Sequence, residues 1–126
     1  MPAWAKRAGV WVPPLALMAL IFALSGMPSD DPDRGLLHLV GRKVAHFSEY
    51  ALLCALWWRA LRMRIGDRSA ITWAVVVSVA YACSDEWHQT FVDGRVGAPA
   101  DVAIDSAGAL AASVLISSRS RRPSRA

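Results

Sequence analysis

An all-α membrane protein, four transmembrane helices in a bundle with both termini cytoplasmic, is what this chain's residues imply, and three observations carry that reading. The composition is 55% hydrophobic, above the usual apolar share of a soluble domain, and mean hydropathy is positive. The apolar residues gather into four runs, 9–26, 44–61, 70–91 and 101–118, each close to the roughly 17 to 25 residues that cross a bilayer core as a helix. The first and fourth runs lack the polar face that a helix of a soluble bundle needs. The 126 residues suffice for one domain, 1–126, and no internal repeat, low-complexity segment or second domain interrupts them.

Run one follows "AKRAGVW" and carries Pro13 and Pro14 near its start, where a first helical turn tolerates proline. Its apolar core exceeds the roughly 7 to 15 residues of a signal-peptide core. It is therefore expected to remain as a span and not to be cleaved at Ala23-Leu24-Ser25. "SGMPSDDPDRG" (25–35) is turn chemistry, rich in residues that break helices or bond their own backbone. Leu36–Val40 then leads into run two as an interfacial segment.

Run two ends in "WWRALRMRIGDRS". Trp57 and Trp58 suit the aromatic belt at headgroup level, the arginines suit cytoplasmic phosphate, and Trp73 opens run three at the same depth. Run three passes from "AITWAVVVSVA" into "YACSDEWHQTF" with no turn signal, so Ser84, Asp85, Glu86, His88 and Gln89 extend a hydrophobic helix. Run four, "DVAIDSAGALAASVLISS", is rich in Ala, Gly and Ser. At about 100° per residue, Asp101, Asp105, Gly108 and Ala112 line one narrow stripe, and small residues spaced by four let membrane helices approach closely. A basic tail, 119–126, closes the chain. Cys54 and Cys83 lie within runs, lack CxxC spacing and read as small buried hydrophobes.

The formal charge of +4 invites nucleic acid as a partner, but the placement of the bases speaks against it. Ten of the fourteen basic residues fall on one side of a four-span protein: Lys6, Arg7, Arg59, Arg62, Arg64, Arg68 and four arginines of the tail. Nine of the ten acids fall on the other. Excess Lys and Arg mark the cytoplasmic side, which puts both termini in the cytoplasm and residues 27–42 and 92–100 outside. No basic groove with interleaved aromatics is present for nucleic acid; the implied partners are membrane lipids.

On the helical wheel Arg42, Lys43, His46, Glu49 and Tyr50 share an arc of about 120° at the outer end of run two. Asp85, Glu86, His88 and Gln89 span about 160° of the outer end of run three. With Asp101 and Asp105, three helices present ionisable groups on the same side at similar depth. A charge near the bilayer centre costs about 2.5 kcal/mol or more, and less near the interface. Such groups are expected to face one another in a polar pocket. The plain alternative is an interhelical network that only fixes the bundle. The pocket gathers six acids, Glu49, Asp85, Glu86, Asp93, Asp101 and Asp105, against Arg34, Arg42, Lys43 and Arg95. Shared protons, protonated His46 or His88, or a weakly bound divalent cation must then compensate.

"KVAHFSEYALL" (43–53), "YACSDEWHQTFVDGR" (81–95) and "DVAIDSAGAL" (101–110) together resemble the VanZ-like family of small bacterial membrane proteins, over residues 20 to 115. His46, Glu49 and Tyr50 match its His-x-x-Glu-Tyr element. Asp85, Glu86, Gln89, Phe91, Gly94 and Arg95 match its Asp-Glu-x-x-Gln-x-Phe element running into Gly-Arg, and Asp101 and Gly108 its last helix. Asp93 stands where Pro is common, and Asp105 stands where Asn is frequent. The family's name comes from a teicoplanin-resistance determinant, so the resemblance implies a cell-envelope role and, further, a link to glycopeptide resistance. It implies no particular reaction.

The resulting expectation is an outward-facing site that binds an envelope component or a headgroup, built from His46, Glu49, Tyr50, Asp85, Glu86, Gln89, Arg95, Asp101 and Asp105. Arg95 carries the planar fork that grips phosphate or carboxylate, and an ion pair with Glu86 or Asp101 is its alternative. The rival reading is a membrane hydrolase or transferase acting on a lipid-linked headgroup. Glu49 or Glu86 would then be a general base, and His46 or His88 a metal ligand or proton carrier. Against it, the chain has no Ser-His-Asp order, no HExxH and no Gly-rich phosphate loop. A structural accessory subunit is the third reading.

Overall fold

The computed structural model describes residues 2–25, 35–91 and 99–120. They form four helices in chain order, α1 (Ala3–Ser25), α2 (Gly35–Leu61), α3 (Asp67–Gln89) and α4 (Pro99–Ser120), and no strand occurs among the described residues. The four apolar runs therefore become four helices, each longer at one or both ends than its run. Leu36–Val40 continues α2 instead of forming a separate segment, since Gly41 does not interrupt it. α1 begins at Ala3, so Pro13 and Pro14 stand in its interior and not in its first turn. Each proline withholds an N–H from the carbonyl four residues earlier, which are those of Gly9 and Val10.

α2 is the central helix: it packs on α1, α3 and α4, whereas α1 reaches only α2 and, more lightly, α3. α2 and α4 run parallel, as Lys43 meets Asp101 and His46 meets Asp105. α3 returns antiparallel and packs against both. Its buried residues are Ala70, Ala74, Ser78, Ala82, Asp85 and Gln89, spaced by three or four. This is one helical face, small along its length so that α2 and α4 can approach. Asp85 and Gln89 are the last two members of that same face. The polar finish of α3 thus continues its packing stripe.

Two apolar clusters fill the interior. Ile21, Tyr50, Leu53 and Ala82 join α1, α2 and α3. Cys54, Ala74 and Ala109 join α2, α3 and α4, with Trp57, Trp58 and Ala112 against them. Cys54 is buried as expected, but Cys83 is exposed, because it lies off the α3 stripe; both are free thiols. Where α4 crosses α2, a Cβ built on Gly108 would fall on the Phe47 carbonyl oxygen, 3.0 Å from its carbon and 3.2 Å from its Cα. Backbone meets backbone there, and only glycine fits.

The outward faces carry large apolar side chains, among them Leu20, Leu52, Val76, Leu110 and Val114. α1 and α4 are long and apolar enough to cross a membrane, and only 11% and 28% of those stretches is buried within the bundle. α2 and α3 match them in length but carry more polar residues. Lys6, Arg7, Arg59, Arg62, Arg64, Arg68 and Arg119 collect at one end of the bundle with Asp67. Glu49, Asp85, Glu86, Asp101 and Asp105 collect at the other with Arg42 and Lys43.

Candidate functional site

The acidic end is assembled by helix register. Lys43, His46 and Tyr50 follow one another at three and four residues on α2, so they climb one face. The parallel α4 presents Asp101 and Asp105 at matching heights. Lys43 Nζ pairs with Asp101 at the rim. One turn deeper, His46 Nδ1 stands 3.3 Å from Asp105 Oδ1. That separation is an ion-pair contact, and neither atom has a further hydrogen-bond partner among the described residues.

α3 adds Asp85 and Gln89 from its buried stripe. Gln89 Nε2 donates to Asp85 Oδ2 at 3.3 Å, a long bond between side chains one turn apart. Asp85 and Asp105 are each 3% exposed, a depth that ionised carboxylates rarely reach without compensation. Between them lies Tyr50, fully buried, with its ring 6.3 Å from that of Tyr81. Among the described residues the Tyr50 hydroxyl has no hydrogen-bond partner, and it lies in the field of Asp85, Asp105 and Glu49. Glu49 in turn interacts electrostatically with His46, Asp105 and Asp85. His46, Glu49, Tyr50, Asp85, Asp101 and Asp105, from three helices, therefore form one electrostatic cluster.

Other expected members stand elsewhere. His88 turns toward α1 and stacks on Phe22, centroid to centroid 4.1 Å at 15°; its Nδ1 is buried without a partner. Of His46 and His88, His46 is the one that contacts a carboxylate among the described residues. Glu86 is half-buried on the turn beside Asp85. Arg95 lies outside the described residues, as do Arg34, Asp93 and Gly94. Among the described residues, no three His, Cys, Asp or Glu side chains form a group that could hold a metal ion.

Some contacts were not legible in spacing. The Lys43–Asp101 and His46–Asp105 pairs depend on the parallel register of α2 and α4, which no single wheel contains. Tyr81 donates its hydroxyl to the Met18 carbonyl and ties α3 to α1. Ser78, buried in mid-α3, is a polar member of the small stripe whose only signal is its spacing from Ala74 and Ala82.

The cluster offers carboxylate acceptors, one imidazole and one phenol, a set able to accept donors from a ligand or to exchange protons with it. No curated protein and no solved structure matches the chain. A family model described as VanZ/LLP1 matches residues 10–120. That stretch holds every ionisable group of the cluster, the whole of α2, α3 and α4, and α1 from Val10 onward, and the chain belongs to the VanZ/LLP1 family.

Proposed function

We propose that the chain is a multi-pass protein of the bacterial cytoplasmic membrane whose acidic-end cluster faces outward and binds a polar component of the cell envelope, such as a lipid headgroup. Family membership, the apolar α1 and α4 and the apolar outward faces support membrane residence. The basic end is the cytoplasmic one by the distribution of Lys and Arg. The observation that carries the binding reading is the convergence of His46, Glu49, Asp85, Asp101 and Asp105 around the partnerless Tyr50 hydroxyl. A few polar contacts suffice to fix a membrane bundle, and this group exceeds that need. Glycopeptide resistance is a narrower role that the family's name alone supports.

A second reading, hydrolase or transferase on a lipid-linked headgroup, is favoured by one contact. His46 lies beside Asp105 and within the field of Glu49, an imidazole–carboxylate pairing suited to general acid–base work. A weakly bound divalent cation stays an open part of the proposal, although among the described residues no group of three His, Cys, Asp or Glu is placed to hold one. Purified protein challenged with lipid-linked and phosphorylated headgroups separates the readings. Melting temperature rising with headgroup concentration, without turnover, is the expected result. Turnover that is lost in Glu49→Gln would establish the enzyme. Indifference to every headgroup would leave the cluster as structural glue.

A further inference from the structure

The opposite end of the bundle carries a second array that the acidic cluster does not use. The turn joining α2 to α3 reads Arg62-Met63-Arg64-Ile65-Gly66. Its backbone is fixed: Arg62 N–H donates to the Trp58 carbonyl at 2.9 Å, and the Arg64 and Ile65 N–H groups donate to the Leu61 carbonyl at 2.9 and 3.0 Å. Met63 and Ile65 nevertheless point away from the bundle, 54% and 37% exposed. Arg59, Arg62, Arg64 and Arg68 are exposed around them. Among the described residues none of these four guanidinium groups has a carboxylate partner.

The one acid at this end among the described residues, Asp67, is engaged elsewhere and accepts a hydrogen bond from Trp58 Nε1 at 3.0 Å. That bond anchors the indole, and Arg62 lies over its face with Cζ 4.8 Å from the ring centroid. Cation–π contact holds the guanidinium in place while leaving its N–H fork open. Four unneutralised arginines interleaved with two exposed apolar side chains match a layer that is anionic at its surface and hydrocarbon just below it. Free phosphate satisfies only the first half of that description.

We infer that the α2–α3 turn is a binding site for anionic phospholipid, in which Arg62 and Arg64 take the headgroup phosphate and Met63 and Ile65 enter the acyl boundary. The inference rests on the membrane reading but not on the acidic-end cluster. The test is thermal unfolding of detergent-purified full chain titrated with phosphatidylglycerol, phosphatidylcholine or inorganic phosphate, for wild type and Arg62→Gln/Arg64→Gln. Phosphatidylglycerol alone should raise the wild-type melting temperature with concentration. The double variant should melt near wild type in phosphatidylcholine, since both side chains are exposed, and should bind phosphatidylglycerol about thirtyfold more weakly, as about 1 kcal/mol per arginine near an anionic surface requires. At 1 M salt, where the screening length is about 3 Å, the preference should vanish. Equal effects of the two lipids, an undiminished response of the variant, or the same rise with inorganic phosphate would overturn it. A chain that is monodisperse without detergent would overturn the membrane reading beneath it, an outcome distinguishable before any lipid is added.

Discussion

At Gly108 no side chain separates α4 from α2, and the obstacle to any substituent is the Phe47 carbonyl, which cannot rotate away. Gly108→Ala is therefore expected to cost about 1–3 kcal/mol, the usual range for overpacking, and Gly108→Leu to prevent assembly of the pair. Leu110→Ile, at a position facing outward, should stay within about 0.5 kcal/mol of wild type. Thermal unfolding in detergent checks both, and equal tolerance would mean that the stripe does not pack on α2. Tyr50 poses the opposite case. Its hydroxyl is buried without a hydrogen-bond partner, a state that costs about 1–3 kcal/mol. Tyr50→Phe should leave the melting temperature unchanged or raise it, while weakening headgroup binding. A destabilised Tyr50→Phe protein would show that the hydroxyl has a structural partner and is not kept for a ligand.

The helices themselves were largely legible in the sequence, because runs of apolar residues of this length have few other uses. Their ends were less so. Gly35–Val40 reads as turn and interface from the turn residues before it, yet α2 includes it, since a helix already committed downstream extends cheaply into a marginal segment. The prolines of α1 mislead in the same direction: they read as part of a first turn in a run that opens at Gly9, but the helix begins at Ala3, six residues earlier. Orientation is the property of these helices that charge alone assigns, and it yields a sharp expectation. In whole cells a cysteine at Ser29 should react with an impermeant thiol reagent, and one at Ser120 should not. Before scoring, Cys83→Ser is needed, because that thiol is exposed on α3. Labelling at Ser120 alone would invert the protein and place the acidic cluster in the cytoplasm.

Across the whole bundle, one sequence property reappears as architecture: the bases and acids that alternate between loops become two oppositely charged ends. The wheels group His46, Glu49, Tyr50, Asp85 and Asp105 at one end, and in the fold these residues lie within electrostatic reach of one another. They did not separate His88, because its stack on Phe22 requires α1 to lie beside that face of α3. Partner choice between helices is set by packing in three dimensions, and a one-helix projection holds no record of it.

The parallel pairing of α2 with α4 also bears on how the protein is made. Lys43 and His46 emerge from the ribosome with α2, but Asp101 and Asp105 arrive only with the final helix. On the membrane reading, for the whole time that α3 is being synthesised, α2 must wait with Lys43 and His46 unmatched by their α4 partners. A nascent chain stalled before residue 99 is consequently an orphan that quality-control proteases should remove. Expression truncated after Phe91 should yield little stable protein, and supplying 92–126 as a separate chain should restore it if α4 can find its partner late. Pulse–chase decay of the truncated chain, with and without that second fragment, measures the effect. A truncated chain as long-lived as the full one would show that α1–α3 can shelter those charges without α4.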